Sequence, residues 1–403
     1  MRGKIAFFTL LSSIFFALNA GAADVANIKE WTFMVFLNGN NNLDSYGDMN
    51  INQMETVGST ENMNIVVQWA SYSKMKVERL YVTKDNDLQN VTSPVVQDVS
   101  GTDMGDWRSL VEFVRWSVAN YPAKKYFINV WDHGSGWRAY KMNVSSFVRP
   151  TDISWDDFTG NAITTAQLGV AMSEAAKIIG HKVDIYGSDA CLMGMIEVAD
   201  EMKDSVSIFA GSQEVEPAEG WPYDMLLQRW AAVPNAGPID VAGFLAEEYK
   251  RSYQGGNNGY RDVTFSAYDM SRIGALDNAM AAFSSSILSL GTGDRTKVVN
   301  AVKETLNFAY SDYGDLMDFL SILGKANIQS IPKNVISAVD EAAKDFVVVN
   351  EVSSGYARAT GVSIWLPASA STYNSHAGNY ATMQFHANTK WGDALRFILQ
   401  DTY

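Results

Sequence analysis

Short apolar runs alternate along the chain with segments in which apolar residues recur at helical spacing. The runs have the length and the β-branched and aromatic content of buried strands, and they span 31–37, 64–69, 77–82, 126–131, 183–186, 207–212, 264–268 and 361–366. The amphipathic segments predict helices at 44–57, 107–120, 164–179, 223–230, 240–253, 271–290, 295–309, 316–323, 332–347 and 391–400, and a further helical pattern opens at Leu192. This alternation predicts an α/β fold with a mostly parallel central sheet, helices on both faces and a largely helical carboxyl-terminal part.

The first 22 residues have the pattern of a secretory signal peptide. Two basic residues precede an apolar stretch at 5–18, and small residues at 20–22 form a cleavage site. The segment is too short for a stable membrane span, and no later stretch reaches that length. We therefore expect export to the periplasm or the medium.

Beyond the signal peptide, the sequence divides near a segment rich in Gly and Asn at 254–261. We predict a core at 23–255 and a mostly helical part at 256–403, whose strands are candidates for joining the core sheet. The chain has 403 residues and a formal net charge of −14. This acidity argues against nucleic acid as a partner, because phosphate binding needs basic residues, and it suits cationic peptides. We expect a monomer.

Cys191 is the single cysteine, and it lies where a predicted strand gives way to a predicted helix. The dipole at a helix N-terminus lowers the pKa of a thiol, and the thiolate is the nucleophilic form. This placement makes Cys191 a candidate nucleophile. The alternative interpretation is a small buried apolar residue without a chemical role.

A cysteine nucleophile needs a base, and histidine is the usual one. His133 directly follows the strand at 126–131, so it is expected at the same carboxyl edge of the sheet as Cys191, where ligands bind in such folds. His181 precedes its strand, and His376 and His386 lie in a polar carboxyl-terminal stretch. His133 is therefore the candidate base, with a solvent-exposed loop histidine as the alternative.

Gly134 follows the candidate base. A tetrahedral intermediate needs backbone N–H donors aimed at its oxyanion, and a glycine lets the chain approach a substrate closely. The amides of Gly134 and Cys191 are the candidate donors. The alternative is an ordinary turn at the end of a strand.

Four blocks of sequence in order resemble the clostripain family of caspase-like cysteine peptidases: WTFMVFLNGNNNLD, INVWDHGSGW, GSDACLMGMIEVA and GSQEVEPAEGWPYD. The resemblance covers 31–230 well and the rest of the chain diffusely. It implies a caspase-like α/β/α sandwich over 23–255 and an endopeptidase that cuts after Arg or Lys. In that reading His133 is the general base and acid, and Cys191 is the nucleophile.

The resemblance also implies that Asp189 is the acid of the S1 pocket, where a buried carboxylate would bind a cationic side chain. The alternative for Asp189 is a charge that caps a helix. Glu214, Glu216 and Glu219 follow the next strand at the same edge. Glu214 and Glu219, with Trp221 as a wall, are the candidates for completing the pocket, against the alternatives of a solvated acidic loop and a core tryptophan.

Two family properties are less well placed on this sequence. The chemistry requires no cofactor, but some family members use calcium, and Asn40 stands where the family pattern has an aspartate. No calcium ligand is assigned.

Family members also mature by cleavage between the histidine and cysteine blocks. The turn-rich stretch 139–160 fits such a site, and the bond after Lys141 is the preferred position.

Two other functions remain open at this level. One is a catalytically silent protein that keeps the fold to bind peptides. The other is a metallohydrolase that uses Asp132, His133, Asp184 and Asp189, although one histidine among carboxylates is a poor transition-metal set.

Overall fold

The computed structural model describes residues 28–138, 142–144, 147–149 and 152–400. The predicted signal peptide and Lys141 lie outside these residues. The strands are β1 (Lys29–Gly39), β2 (Met63–Ser71), β3 (Lys76–Tyr81), β4 (Val95–Asp98), β5 (Ala123–Trp131), β6 (Met142–Val144), β7 (Phe147–Arg149), β8 (Ile153–Asp156), β9 (Asn161–Ile163), β10 (Val183–Asp189), β11 (Val206–Gly211), β12 (Gln254–Gly256), β13 (Gly259–Tyr260), β14 (Thr264–Asp269), β15 (Tyr313–Asp315), β16 (Val347–Val352) and β17 (Ser363–Trp365). The helices are α1 (Asp44–Glu55), α2 (Trp107–Asn120), α3 (Thr165–Ile179), α4 (Ile196–Asp200), α5 (Tyr223–Ala231), α6 (Pro238–Ser252), α7 (Ile273–Ile287), α8 (Thr292–Glu304), α9 (Leu316–Lys325), α10 (Lys333–Phe346), α11 (Ala370–Tyr380), α12 (Gln384–Thr389) and α13 (Trp391–Leu399), with a 3₁₀ turn at Ser354–Tyr356.

A nine-stranded sheet forms the centre of the molecule, in the order β16-β14-β11-β10-β5-β1-β2-β3-β4. The five strands from β11 to β2 are parallel, and antiparallel strands close the sheet on both sides. The predicted α/β fold with a mostly parallel central sheet is confirmed. Two of the sheet's strands, β14 and β16, come from the carboxyl-terminal part, so the chain beyond residue 255 extends the same sheet.

The sheet is buried on both faces, which explains why its central strands are continuous apolar runs rather than alternating patterns. Along β1, Met34 and Phe36 belong to one apolar core, whereas Phe33 and Val35 belong to the other. Helices α1, α5 and α6 cover the second face, and α2, α3 and most carboxyl-terminal helices cover the first. Successive residues of one strand therefore build two separate cores.

The structure differs from the predicted elements in several places, among them the unpredicted helices α11 and α12. The helix expected from Leu192 begins only at Ile196, because 190–195 form a turn in which Leu192 has a φ of +66°. The apolar run 347–349, which continues the helical pattern before it, forms strand β16 instead. The predicted strand at 361–366 is shorter and pairs with β15, outside the central sheet.

The stretch 139–160, which is turn-rich in sequence, contains β6, β7 and β8, and its residues 152–156 are buried. Ser154 and Asp156 are completely buried, and the Ser154 hydroxyl donates to the carbonyl of Met104 at 2.8 Å. Asp156 accepts from the backbone N–H of Met104 at 3.1 Å and from Asn40 Nδ2 at 2.9 Å. Polar contacts rather than apolar ones hold residues 154–156 in place, so their burial leaves no apolar periodicity in the sequence.

Strand register brings several chain segments to one edge of the sheet. Trp131 of β5 pairs with Leu37 of β1 on one side and with Asp189 of β10 on the other. His133 and Cys191 each follow this paired position by two residues. The carboxyl ends of β1, β5 and β10 therefore open onto a common rim. In the described part of the chain, no helix has both the length and the apolar character needed to cross a membrane.

Candidate active site

The structure brings the His133 and Cys191 segments together at this rim. A Cβ atom added to Gly134 would lie 2.5 Å from the carbonyl oxygen of Cys191 and 3.0 Å from Cβ of Ala190. Only a glycine therefore lets the histidine segment pack so closely on the cysteine segment. Both His133 and Cys191 line one cavity of about 270 Å³, which places the imidazole and the thiol in the same small volume.

Cys191 is half-buried, and its surroundings hold the thiol in its neutral form. Its Sγ donates to the carbonyl of Glu216 at 3.7 Å. Burial, together with the charges of Glu214 and Asp189, raises the pKa of the Cys191 thiol to about 11. The helix dipole invoked from sequence does not act here, because α4 begins five residues later. The thiol therefore requires a base that removes its proton.

His133 is held by a residue that the sequence pattern did not single out. Its Nε2 lies 2.8 Å from the amide oxygen of Asn42, in the loop after β1. An amide oxygen accepts, so Nε2 carries the proton and Nδ1 is left as the basic nitrogen. Burial lowers the pKa of His133, and the charge of Asp157 opposes that shift only in part. The imidazole is thus neutral at neutral pH. The asparagine-rich run 40–42 was the available sequence signal.

Asp189 ends β10 and is buried beneath the cavity, which it lines. Its Oδ2 accepts from the Tyr223 hydroxyl at 2.6 Å and from the backbone N–H of Trp221 at 3.4 Å. Asn129 Nδ2 donates to the same Tyr223 hydroxyl at 2.8 Å and so fixes the tyrosine. Burial raises the pKa of Asp189 to about 7. Asp189 belongs to a strand, so the interpretation as a helix cap does not hold.

Glu216 is the second acid of the cavity. Its side chain is buried beside the Asp189 carboxyl and the Trp221 indole, which both act on its pKa, but neither carboxyl oxygen has a partner at ordinary hydrogen-bond geometry within the described residues. Burial and the charge of Asp189 raise the pKa of Glu216 well above its ordinary value. A buried carboxyl without partners is costly unless a ligand supplies them. The two acids therefore lie together in one buried site beside the thiol.

The other substrate-binding candidates lie outside the wall of the cavity. Glu214 accepts from the backbone N–H of Ala309 at 3.1 Å and from the Tyr356 hydroxyl at 2.8 Å, so it joins two carboxyl-terminal segments. Glu219 is half-buried and does not line the cavity. The Trp221 ring is buried, with its centroid 5.5 Å from that of Phe265; its backbone N–H donates to Asp189, and its side chain acts on the pKa of Glu216 from behind the cavity wall.

The residues of the alternative metal site do not form a ligand set among the described residues, although three of them line the same cavity. Asp132 lines the cavity, but its two carboxylate oxygens accept from Asn41 Nδ2 at 2.7 Å and from Asn38 Nδ2 at 3.2 Å. Asp184 lies at the other end of β10, where it accepts from the backbone N–H of Tyr126 at 2.9 Å. Across the described residues, no group of three or more His, Cys, Asp or Glu side chains is placed to hold a metal ion. Asn40 donates to Asp156, so an amide satisfies this carboxylate, and no calcium site is assigned.

Carboxyl-terminal residues hold the segment that carries His133. The Tyr313 hydroxyl donates to the carbonyl of Ser135 at 2.8 Å. Arg138 forms an ion pair with Asp312 at 2.6 Å, and its guanidinium lies 4.6 Å from the ring centroid of Tyr310. These contacts tie the loop after β5 to the carboxyl-terminal part of the chain. They also occupy the Arg138 side chain, which disfavours cleavage after this residue.

Comparisons with known proteins agree with this architecture. The model of the clostripain family, Peptidase_C11, matches residues 35–397. Clostripain from Hathewaya histolytica is 25% identical over 408 residues, which cover 86% of this chain and 76% of that protein.

Two solved structures share the fold. A secreted C11 cysteine protease from Bacteroides thetaiotaomicron, in complex with an irreversible peptide inhibitor, has a TM-score of 0.68 at 20% identity and covers 90% of this chain and 99% of its own. An inactive zymogen C11 protease from Parabacteroides distasonis has a TM-score of 0.67 at 15% identity, with 90% and 98% covered. The expected caspase-like sandwich is thereby confirmed.

Proposed function

The chain belongs to the clostripain family and is a cysteine peptidase, and from this premise we propose that it is an exported endopeptidase that cuts after lysine or arginine. The observation that carries this specificity is the buried pair Asp189 and Glu216 beside Cys191. Glu216 has no hydrogen-bond partner among the described residues, and both acids line the cavity that holds the thiol. A lysine ammonium or arginine guanidinium would supply the missing donors and charge.

The proposed chemistry follows from the protonation states of the resting site. The Cys191 thiol has a raised pKa and the His133 imidazole a lowered one, so the pair rests as a neutral thiol and a neutral imidazole. Nδ1 of His133 takes the thiol proton as Sγ attacks the scissile carbonyl carbon. The imidazolium then protonates the leaving amine. A water molecule, deprotonated by the same imidazole, hydrolyses the thioester.

The backbone donors of this reaction are the amides of Gly134 and Cys191. The two segments pack within van der Waals contact at the rim, which supports a common oxyanion site for the two N–H groups. Asn42 acts on the other side of the imidazole and keeps Nε2 protonated. Cys191 as nucleophile, His133 as base and Asn42 as the residue that orients the base together correspond to the three roles of a catalytic triad.

A comparison of leaving-group-matched substrates tests the proposed function. Fluorogenic amides that differ only at P1 should be hydrolysed when P1 is Lys or Arg, with kcat/KM on the order of 10² times that of the matched Leu or Gln amide. A thiol-alkylating reagent should abolish the activity, and a chelator decides whether calcium is needed. Hydrolysis of the neutral substrates at the same rate would refute the assignment of S1. No hydrolysis of any substrate would favour a peptide-binding protein.

The decrease of kcat/KM at acidic pH should follow the protonation of the acids in the cavity rather than the protonation of His133. Asp189 has a pKa of about 7 and binds a cation only when ionised, whereas burial lowers the pKa of His133, so the imidazole is already neutral at pH 7. We expect kcat/KM for a lysyl substrate to fall about tenfold per unit as the pH drops below 7. Initial rates at substrate concentrations far below KM measure this limb. A profile that is flat from pH 8 to 5 would contradict it.

Export and self-processing complete the proposal. The sequence pattern of residues 1–22 supports release of the mature chain to the periplasm or medium. Arg138 is occupied by its ion pair with Asp312, and the bond after Arg149 precedes a proline. Lys141 is therefore the preferred bond for self-cleavage within 139–160.

A further inference from the structure

An exposed apolar patch lies on the same rim as the candidate active site. The rings of Tyr72 and Phe158 are stacked with centroids 4.8 Å apart and an interplanar angle of 12°. Their exposed fractions are 47% and 50%, and that of Met75 nearby is 75%. Phe158 and Met75 also line a cavity of about 210 Å³. Large apolar side chains grouped in this way on a surface indicate a contact site rather than scattered exposure.

The patch is anchored to the strand next to the candidate base. The backbone N–H of Tyr72 donates to the carbonyl of Gly39 at 3.2 Å, and that of Asp157 donates to the carbonyl of Asn40 at 2.8 Å. Gly39 ends β1 and pairs with Ser71 of β2. Leu37 of β1 pairs with Trp131 of β5. Gly39 lies two residues after Leu37, and His133 lies two residues after Trp131, so the two residues are at the same level of the sheet. Two strand spacings, about 10 Å, therefore separate the end of β2 from the strand end that carries His133.

The order of the strands gives the patch a direction relative to the scissile bond. The acids of the cavity belong to β10 and to the loop after β11, on one side of Cys191, and His133 lies on the other side, at the end of β5. When the P1 side chain of a substrate binds to these two acids, its scissile bond is oriented with the leaving amine toward His133, which protonates that amine. The chain beyond the leaving amine continues toward β1 and β2. Each extended residue spans about 3.4 Å, so the second to fourth residues reach the patch.

We propose that Tyr72, Phe158 and Met75 form a subsite for an aromatic or large aliphatic residue of the substrate at P2′, P3′ or P4′. The inference rests on the proposed function, because it takes the direction of the substrate from the S1 acids and from His133. The occupant is the leaving half of the polypeptide, and its apolar side chain covers the stacked rings and enters the cavity beside Phe158. The subsite would thus give the protein a preference for certain residues on the carboxyl-terminal side of the scissile bond, whereas S1 recognises the residue on the amino-terminal side.

Internally quenched peptides with a fixed P1 lysine test the subsite. One set carries a phenylalanine at each position from P1′ to P4′ in turn on a serine background, and a lysyl coumarin amide has no residue beyond the scissile bond. We expect the native protein to cleave one of the P2′ to P4′ phenylalanine peptides about tenfold faster than the all-serine peptide. The Y72A/F158A double variant should lose this preference and keep kcat/KM on the coumarin amide within about twofold.

Two further variants keep the outcome interpretable. Tyr260→Ala removes an aromatic side chain that is 75% exposed on β13, outside the patch, and should leave the preference intact. Met75→Ser changes a residue too exposed to support the fold and should reduce the preference about threefold, even where the double variant fails to fold. A native protein that hydrolyses the coumarin amide without any P2′ to P4′ preference overturns the subsite. A native protein that leaves the coumarin amide intact overturns the proposed function instead.

Discussion

Replacing Cys191 with alanine is expected to lower kcat/KM on a lysyl amide by at least about 10⁴-fold, because the sequence has one cysteine and the alanine leaves no thiol to attack the substrate. The same variant should remain a single chain, whereas the native protein yields two fragments cut within 139–160. Denaturing gels over time and steady-state kinetics measure the two effects. Cleavage of the alanine variant at the native rate would show that another protease makes the cut.

A His133→Ala variant separates a base from a merely structural histidine. Without the imidazole, attack depends on spontaneous ionisation of Cys191, whose pKa is raised to about 11. Its residual activity should therefore rise about tenfold per pH unit between pH 8 and 10, in parallel with the rate of thiol alkylation. The native protein should show no such rise. His181→Ala, at an exposed position on the opposite edge of the sheet, is the matched control and should behave as native.

Replacing Asp189 with asparagine is the second large effect and should remove the preference for basic residues. The asparagine keeps an oxygen for the Tyr223 hydroxyl, so the pocket should retain its shape while losing its charge. We expect kcat/KM for lysyl and arginyl amides to fall on the order of 10² to 10³, since the substrate cation is left buried beside a neutral amide. The neutral P1 amides should change by less than about threefold.

Variants of Glu216 and Glu219 test which acids belong to the pocket. Glu216→Gln should also weaken cleavage of basic substrates, because both oxygens of Glu216 lack partners among the described residues. Glu219→Gln should leave P1 preference unchanged, because Glu219 does not line the cavity. If Glu219→Gln and Asp189→Asn gave equal losses, the assignment of the acids from the structure would be wrong.

The principal features of the fold are readable from the sequence because they depend on local pattern. Strands β1, β2, β5, β10 and β11 each contain a run of mainly apolar residues, since both faces of a central strand are covered. Strands separated by helices form a parallel sheet, and the carboxyl ends of parallel strands meet at one edge. The placement of His133 and Cys191 on a common rim follows from these two rules alone.

The roles of Glu216 and Asn42 could not be predicted from these rules. Three acids lie within the six residues 214–219, and no periodicity tells which of them faces the cavity. The turn of the loop points Glu216 inward, while contacts with Ala309 and Tyr356 draw Glu214 toward the carboxyl-terminal part. Asn42 was missed for the same reason, because its role depends on where the loop after β1 crosses the imidazole.

The sequence by itself determined the fold class, the family and the two residues expected to do the chemistry, because these depend on apolar periodicity and on chain order. Only the tertiary structure decided the electrostatics of the site. The pKa of Cys191 is raised rather than lowered, because the thiol is covered by neighbouring segments and the helix begins five residues later. Desolvation depends on which distant parts of the chain exclude water, and a pattern of neighbours in sequence contains no information about that.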